Sequence, residues 1–364
     1  MIGIFLVLRH VVFCSAHKEV FIYPSIVEER TTAGKLVLRL NDDITLNLER
    51  SSVLAKNLRF ITTYRSGHHL STIDTSSIQE NLYQDPQWQS SVKVIRKNGG
   101  VQVEGIIDSK RRIKPLLQSK RSSQDQVLHS IYEVEEISNH ISEPDSAYGR
   151  LLQSSLSNTS NVTARTSESA KSFAVELHVL SDEYHQKHFI LRESLIEYMA
   201  VMVTAVNLRF QGMVGLRIFF KLVGITRSHN DVFARHIVGV IDSWQTLEGL
   251  VKYTKEGNVD GSFDALYLMT GRELASIRSN GYVDMDVAGL AYVGQVCTIY
   301  AVAEGEDVAT SYAGVQTMAH ELAHTLGATH DPQDSSNCSW TKGYLMSYED
   351  KGHSRSIASR KWQP

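Results

Sequence analysis

The stretch with the clearest chemistry is "TMAHELAHTLGATHDP", Thr317 to Pro332. His320 and His324 are four residues apart, so on a helix they leave the same face one turn from each other. Both imidazoles can then reach one ion from a rigid support. Glu321 lies one position further round, close enough to act on a water bound to that ion. Gly327 can take the left-handed conformation that ends a helix, and the chain turning there could bring His330 in from another direction. Three neutral imidazoles leave a fourth tetrahedral position open for water, the arrangement of a hydrolytic zinc centre. The competing reading is a solvated helix whose histidines have no joint role. With 15 histidines in 364 residues a chance His-x-x-x-His is unremarkable, but five positions in register, glycine included, weigh against chance.

Length and composition bound the rest. A chain of 364 residues has room for two ordinary domains. Net charge is −3 and the sequence pI is about 6.6, so nothing in the overall charge suggests a nucleic-acid partner. The cluster "SKRRIKPLLQSKR", Ser109 to Arg121, reads as an exposed basic segment, with Lys110–Arg112 and Lys120–Arg121 as candidate processing sites. The N-terminus "MIGIFLVLRHVVFCSA" has an apolar core and small residues after it, the pattern of a secretory signal peptide over residues 1–16. It has no basic n-region, and Arg9 and His10 interrupt it; it is also too short to span a bilayer. "LIEYMAVMVTAV", Leu195 to Val206, is likewise too short and carries Glu197, which predicts a core helix. These features together predict a secreted, monomeric protein without stable membrane insertion. Sequons at Asn158, Asn161 and Asn337 fit export. After such a cleavage only Cys297 and Cys338 remain, so this is no disulfide scaffold.

These groups need elements to position them. Between residues 17 and 170 the pattern is of short strands. "KLVLRL" and "ITLNLE" flank Asn41-Asp42-Asp43, "VKVI" and "VQVEGII" flank Asn98-Gly99-Gly100, and "VLHSIYEVEEI" is a further strand. Leu151 to Ser172 is serine- and threonine-rich and reads as a linker. From residue 171 strands alternate with helices: strands over 173–180, 216–225, 263–271, 289–294 and 298–304, helices over 193–210, 246–257 and 311–327. The expected fold class is α/β with a mixed sheet and an active-site helix, preceded by a β-rich domain.

The residues at this point resemble a known family. "HELAHTLGATHD", the later "GYLMSY" and "GLAYVGQVC" resemble the reprolysin (adamalysin) branch of the metzincins, whose signature is this histidine–glycine spacing. "GKLVLRLNDDITLNLERSSVLAKNLRF" resembles the reprolysin propeptide, and with "EGIIDSKRRIKPL" the chain is similar to secreted reprolysins of tick saliva. The resemblance implies a signal over 1–16, a pro-domain and linker over 17–170, and a zinc endopeptidase domain over 171–364 acting on extracellular proteins or peptides. It implies His320, His324 and His330 as zinc ligands, Glu321 as general base and Met346 as the Met-turn residue beneath the ion. Gly289, Leu290 and Ala291 would form the edge strand that pairs with substrate. Glu176 and Asp264 match positions that bind a structural calcium in some relatives, with ordinary surface carboxylates as the favoured competing reading. Tyr348 matches a zinc-binding tyrosine of other metzincins, again with a packing or exposed tyrosine favoured.

Against that pattern, the pro-region has no cysteine, so latency by a thiolate on zinc is not available and inhibition is expected to be steric or through another ligand. No cysteine-rich or disintegrin module follows, and the chain stops at "GHSRSIASRKWQP" where relatives continue, which implies a truncated domain. In relatives the cysteine at Cys297 is bridged to one beyond the Met-turn, which this chain lacks. A Cys297–Cys338 bridge would need Cα atoms within about 7 Å and is not the family arrangement, so two free thiols are expected. The alternative function is a secreted zinc-binding module with little or no proteolysis. Intact Glu321 favours the enzyme and the short C-terminus favours the module.

Overall fold

The computed structural model describes residues 19–30, 34–97, 100–118, 122, 126–135, 137, 172–213, 216–278, 280–332 and 339–347. Its strands are β1 (Val20–Ile22), β2 (Ser25–Arg30), β3 (Lys35–Arg39), β4 (Thr45–Arg50), β5 (Leu54–Tyr64), β6 (Gly67–Asp74), β7 (Leu82–Asp85), β8 (Ser90–Lys97), β9 (Gly100–Ile106), β10 (Arg111–Pro115) and β11 (His129–Glu133) in the N-terminal half. The C-terminal half adds β12 (Ser172–Ser181), β13 (Arg217–Ser228), β14 (His236–Ile237), β15 (Val240–Asp242), β16 (Ala265–Thr270), β17 (Leu274–Ile277), β18 (Val283–Asp284), β19 (Gly289–Ala291) and β20 (Val302–Glu306). Three helices matter here, α1 (Arg192–Phe210), α2 (Ser243–Lys255) and α3 (Val315–Thr325).

Nine N-terminal strands form one sheet in the order β1-β11-β10-β9-β8-β7-β4-β3-β2. Period-two alternation drives it: Leu36 and Leu38 face Leu48 and Leu46 across the β3–β4 ladder, and all four are buried in one cluster with Val92, Val94, Val101 and Val103. The turn between β3 and β4 is set by Asn41, whose Oδ1 accepts the N–H groups of Asp43 and Ile44 at 3.0 and 2.8 Å.

The second sheet has seven strands, β19-β20-β16-β12-β13-β5-β6. β12, β13, β16 and β20 run parallel, and β19 closes one edge antiparallel to β20. This is the mixed sheet expected from the alternation of strands and helices, and the α/β fold class holds. α1 is buried nearly all round because it lies between the two sheets, against β13 on one side and β8 on the other. Its Glu197 is paired with Lys93 of β8 at 2.8 Å, which accounts for a charge inside an apolar helix. α3 packs beside α1, and α2 covers the opposite face of the sheet over Leu250, Leu266 and Val302. β14, β15, β17 and β18 form a small separate sheet that sequence periodicity missed, being two to four residues long.

The other departure is the hairpin β5–β6. Residues 54–74 fall in the N-terminal half, yet they extend the C-terminal sheet: β5 runs parallel to β13, from Leu54 opposite Leu222 to Thr63 opposite Ser228. Polar Lys56, Asn57 and Arg59 interrupt the alternation of β5, so it does not stand out as a strand in sequence. Leu54, Leu58 and Phe60 join the core around α1, and Ile61 joins the core under α2. Truncating Leu58, which is fully buried, to Ala should cost about 2–5 kcal/mol of unfolding free energy in urea titrations. Because the hairpin lies in the N-terminal half of the chain but in the cores of the C-terminal sheet, the loss should appear in one cooperative transition reported by probes in both halves, not in an N-terminal transition alone.

Candidate metal centre

α3 carries His320, Glu321 and His324, and the turn after it brings back His330. The turn is set by Gly327 at φ +101°, with Ala328 N–H on the Ala323 carbonyl at 2.9 Å and Gly327 N–H on His324 at 2.8 Å. Those two bonds are the Schellman pattern that ends a helix on a left-handed glycine. The result is three imidazoles around one point. Nε2 of His330 lies 3.1 Å from Nε2 of His320 and 3.2 Å from Nε2 of His324. Ligands about 2.0–2.1 Å from a tetrahedral ion stand about 3.3–3.4 Å apart, so these separations match the edges of a coordination tetrahedron. Among the described residues this is the group placed to hold a metal ion.

Backbone carbonyls orient the rings. Nδ1 of His320 donates to the Leu345 carbonyl at 2.7 Å, and Nδ1 of His324 donates to that of Ala328 at 2.7 Å. Fixing the proton on Nδ1 leaves the Nε2 lone pairs facing the common point. Met346, buried, follows Leu345 and accepts the Asp331 N–H at 2.9 Å, while Asp331 Oδ2 accepts the Ser347 hydroxyl at 3.2 Å. Asp331 therefore ties the segment after the third histidine to the one that carries Met346.

The start of α3 is positioned by a buried polar network that sequence reasoning did not find. Asp307 accepts the Gly314 N–H at 2.7 Å through Oδ1; its Oδ2 accepts the Tyr198 hydroxyl at 2.5 Å and lies 3.0 Å from His185 Nε2. Tyr198 oxygen in turn accepts the Tyr312 N–H at 2.9 Å, next to the left-handed Thr310 and Tyr312. From the N-terminal half, Arg112, expected in an exposed basic segment, is instead fully buried in β10, where it donates to the carbonyls of Ser311 and Tyr312, both at 3.2 Å. The Ile137 N–H donates to Ala313, and the Thr317 hydroxyl donates to the Ile137 carbonyl at 2.8 Å.

The edge strand β19 lies beside Glu321. A Cβ on Gly289 would stand 2.8 Å from Glu321 Cγ and 2.7 Å from Thr317 Cγ2, so glycine is required there by close approach. Leu290 is half exposed, while Gly289 and Ala291 are buried. After the strand, Gly294 and Val296 donate to the carbonyls of His324 and Thr325, satisfying the end of α3.

Glu176 and Asp264 are adjacent, but Asp264 is occupied by protein donors. Its Oδ2 accepts the Glu176 N–H at 2.8 Å, and its Oδ1 accepts the Cys297 thiol at 3.3 Å. That favours a structural staple. Cys297 is free and exposed. Cys338, Asn337, Tyr348, the N-terminal residues 1–16, the sequons at Asn158 and Asn161 and the linker over 151–171 lie outside the described residues. No helix among the described residues is long and apolar enough to cross a membrane.

The reprolysin model of metallo-peptidase family M12 matches residues 171–359. A venom metalloproteinase of Olivierus martensii is 25% identical over 342 residues, covering 91% of this chain and 84% of its own. A venom metalloproteinase of Tityus serrulatus is 23% identical over 351 residues, covering 89% and 84%. A disintegrin and metalloproteinase domain-containing protein of Caenorhabditis elegans is 34% identical over 130 residues, covering 33% and 12%.

Two of the three imidazoles, His324 and His330, are disfavoured in their charged form. Burial, then the charges of His320 and His330, push His324 well below the ordinary histidine value; burial and His320 pull His330 to about 3. An unfolded imidazole takes up its proton near pH 6.5, roughly. A depressed folded value means the unfolded chain binds the extra proton first, so stability is present above that pH and is lost as pH falls toward 3. In chelator-treated protein, the stability of the parent relative to His330→Gln should therefore shrink between about pH 7 and pH 4. Thermal melts of both proteins across that range test it, and a parent that gains on the variant with acidification would contradict the assignment.

Proposed function

The chain belongs to metallo-peptidase family M12, in its reprolysin group, and we propose that it is a secreted zinc-dependent endopeptidase with Glu321 as general base. The observation that carries this reading is the convergence of three imidazoles, with His330 Nε2 at 3.1 and 3.2 Å from the Nε2 atoms of His320 and His324, beside a buried glutamate and an edge strand. His320, His324 and His330 would hold the ion. When bound, zinc acidifies a coordinated water and polarises the scissile carbonyl as a Lewis acid. Glu321, on the helix turn between the two histidines, takes the water's proton and delivers it to the leaving amine. An extended peptide can add to the free side of β19 near Gly289, Leu290 and Ala291, aligned by main-chain hydrogen bonds with little demand on sequence. Gly289 brings that strand within van der Waals reach of Glu321, which sets the peptide bond near the base. Export is supported by the apolar N-terminus and by relatives named as venom proteins. Latency through the N-terminal half is supported by Ile137, whose bonds to Ala313 and Thr317 bring that half to the first turn of α3. Calcium at Glu176 and Asp264 is not part of the proposal, because protein donors already fill both oxygens of Asp264.

Glu321→Gln should lower kcat/KM on a protein substrate by at least about 10²-fold while metal analysis still finds one zinc per chain. His324→Ala should lose both zinc and activity, and a chelator should silence the parent. Substantial proteolysis by the Glu321→Gln protein would rule out the base.

A further inference from the structure

The family match begins at residue 171, but the sheet that carries β19 and flanks α3 does not. Its strand β5 lies between β13 and β6, more than 150 positions before its parallel partner in the chain. Both faces of β5 are built into the C-terminal half. Leu58 and Phe60 pack with Phe189, Ile196 and Ile225; Ile61 packs with Leu180, Phe233 and Leu250. Its end is tied in as well. The His229 N–H donates to the Thr63 carbonyl at 3.1 Å, and the Tyr64 ring stacks on His229 at 5.2 Å between centroids. Gly261 has no room for a Cβ because the Arg59 guanidinium lies against it. β6, exposed along most of its length with His68, His69, Leu70 and Thr72, forms the outer edge of the sheet. Without the hairpin, β13 would present an unpaired edge from Leu222 to Ser228, and the buried residues packed around Leu58, Phe60 and Ile61 would lose their cover.

We infer that residues 54–74 are a permanent structural part of the C-terminal domain, and that cutting the chain between residues 138 and 171 gives a two-fragment non-covalent complex. The second fragment does not leave as a free peptidase domain. Further bonds across the same boundary hold the rest of the N-terminal half: Ser51 with Thr204 at 2.9 Å, Ser91 Oγ on the Val201 carbonyl at 2.8 Å, Lys93 with Glu197, and Arg112 in the loop before α3. A cut therefore does not by itself clear the segment at Ile137 from Thr317. This inference does not depend on the peptidase reading.

The test uses the full chain with a sequence-specific protease site placed between residues 150 and 171. After complete cleavage, both fragments should co-elute at the uncut size in native buffer, and should separate only in denaturant. Backbone amides of β13 over 222–228 should keep the hydrogen-exchange protection they had before the cut. Separate elution of the fragments, or loss of β13 protection on cutting, would overturn the inference. Phe60→Asp in the cleavable chain should convert co-elution to separation after the cut; if that variant fails to fold, the parent result still decides. Zinc content and peptide cleavage, measured on the same samples, report on the chemistry at Glu321 and the histidines and leave this outcome unaffected.

Discussion

The close approach of His330 Nε2 to the Nε2 atoms of His320 and His324, about one hydrogen-bond length from each, is the constraint on which the rest of this structure depends. Neutral nitrogen lone pairs at 3.1–3.2 Å repel unless something positive lies between them. Burial makes a proton an expensive answer, since a charged imidazole would be stripped of water, and an ion becomes the favourable one. Holding that arrangement takes rigidity on every side. Leu345 and Ala328 fix the rings, the Schellman turn at Gly327 fixes the return of the chain, and Asp331 fixes the segment carrying Met346. Asp307 fixes the start of the helix.

The second consequence concerns how the two halves are joined. A parallel strand pair cannot be made by a local turn, so β5 reaches β13 only through a long crossover. The energy of the C-terminal sheet is therefore distributed over residues on both sides of the linker, and so is the entry to α3 through Arg112. The left-handed residues Thr310 and Tyr312 are held between Tyr198 from one half and Arg112 from the other. Stability of the metal centre and integrity of the N-terminal half are physically the same question in this chain.

What could be read from sequence follows the range of each interaction. The histidine spacing, the helix stop at Gly327 and the turn at Asn41 lie within a few residues, so residue type and period expose them. The β-rich start and the alternating second half were legible for the same reason. The Asp307–Tyr198–His185 network was not, because its members lie 109 and 122 positions apart and each alone is an unremarkable polar residue. The carbonyls that orient the histidines carry no side-chain signature at all. The hairpin over 54–74 was hidden because its partner strand is remote and its polar positions break the alternation.

The neighbourhood of Glu321 shows how burial can choose which acid carries charge. Glu304, paired across the ladder with Leu290 of the edge strand, is fully buried, and neither carboxyl oxygen has a hydrogen-bond partner among the described residues. Burial first, then the charge of Glu321, push its carboxyl well above the usual range, which favours its protonated form. Tyr267, on the adjacent strand β16, is held in its neutral form by the same two causes in the same order. Two carboxylates in one low-dielectric region cannot both ionise cheaply, and the fully buried one without protein donors is the one whose charge is disfavoured. A protonated Glu304 and a neutral Tyr267 add no negative charge to oppose an anionic Glu321, the form the proposed general base needs. A buried acid in its protonated form thus leaves the electrostatics of the proposed base undisturbed, whereas an ionised carboxylate at the same place would not.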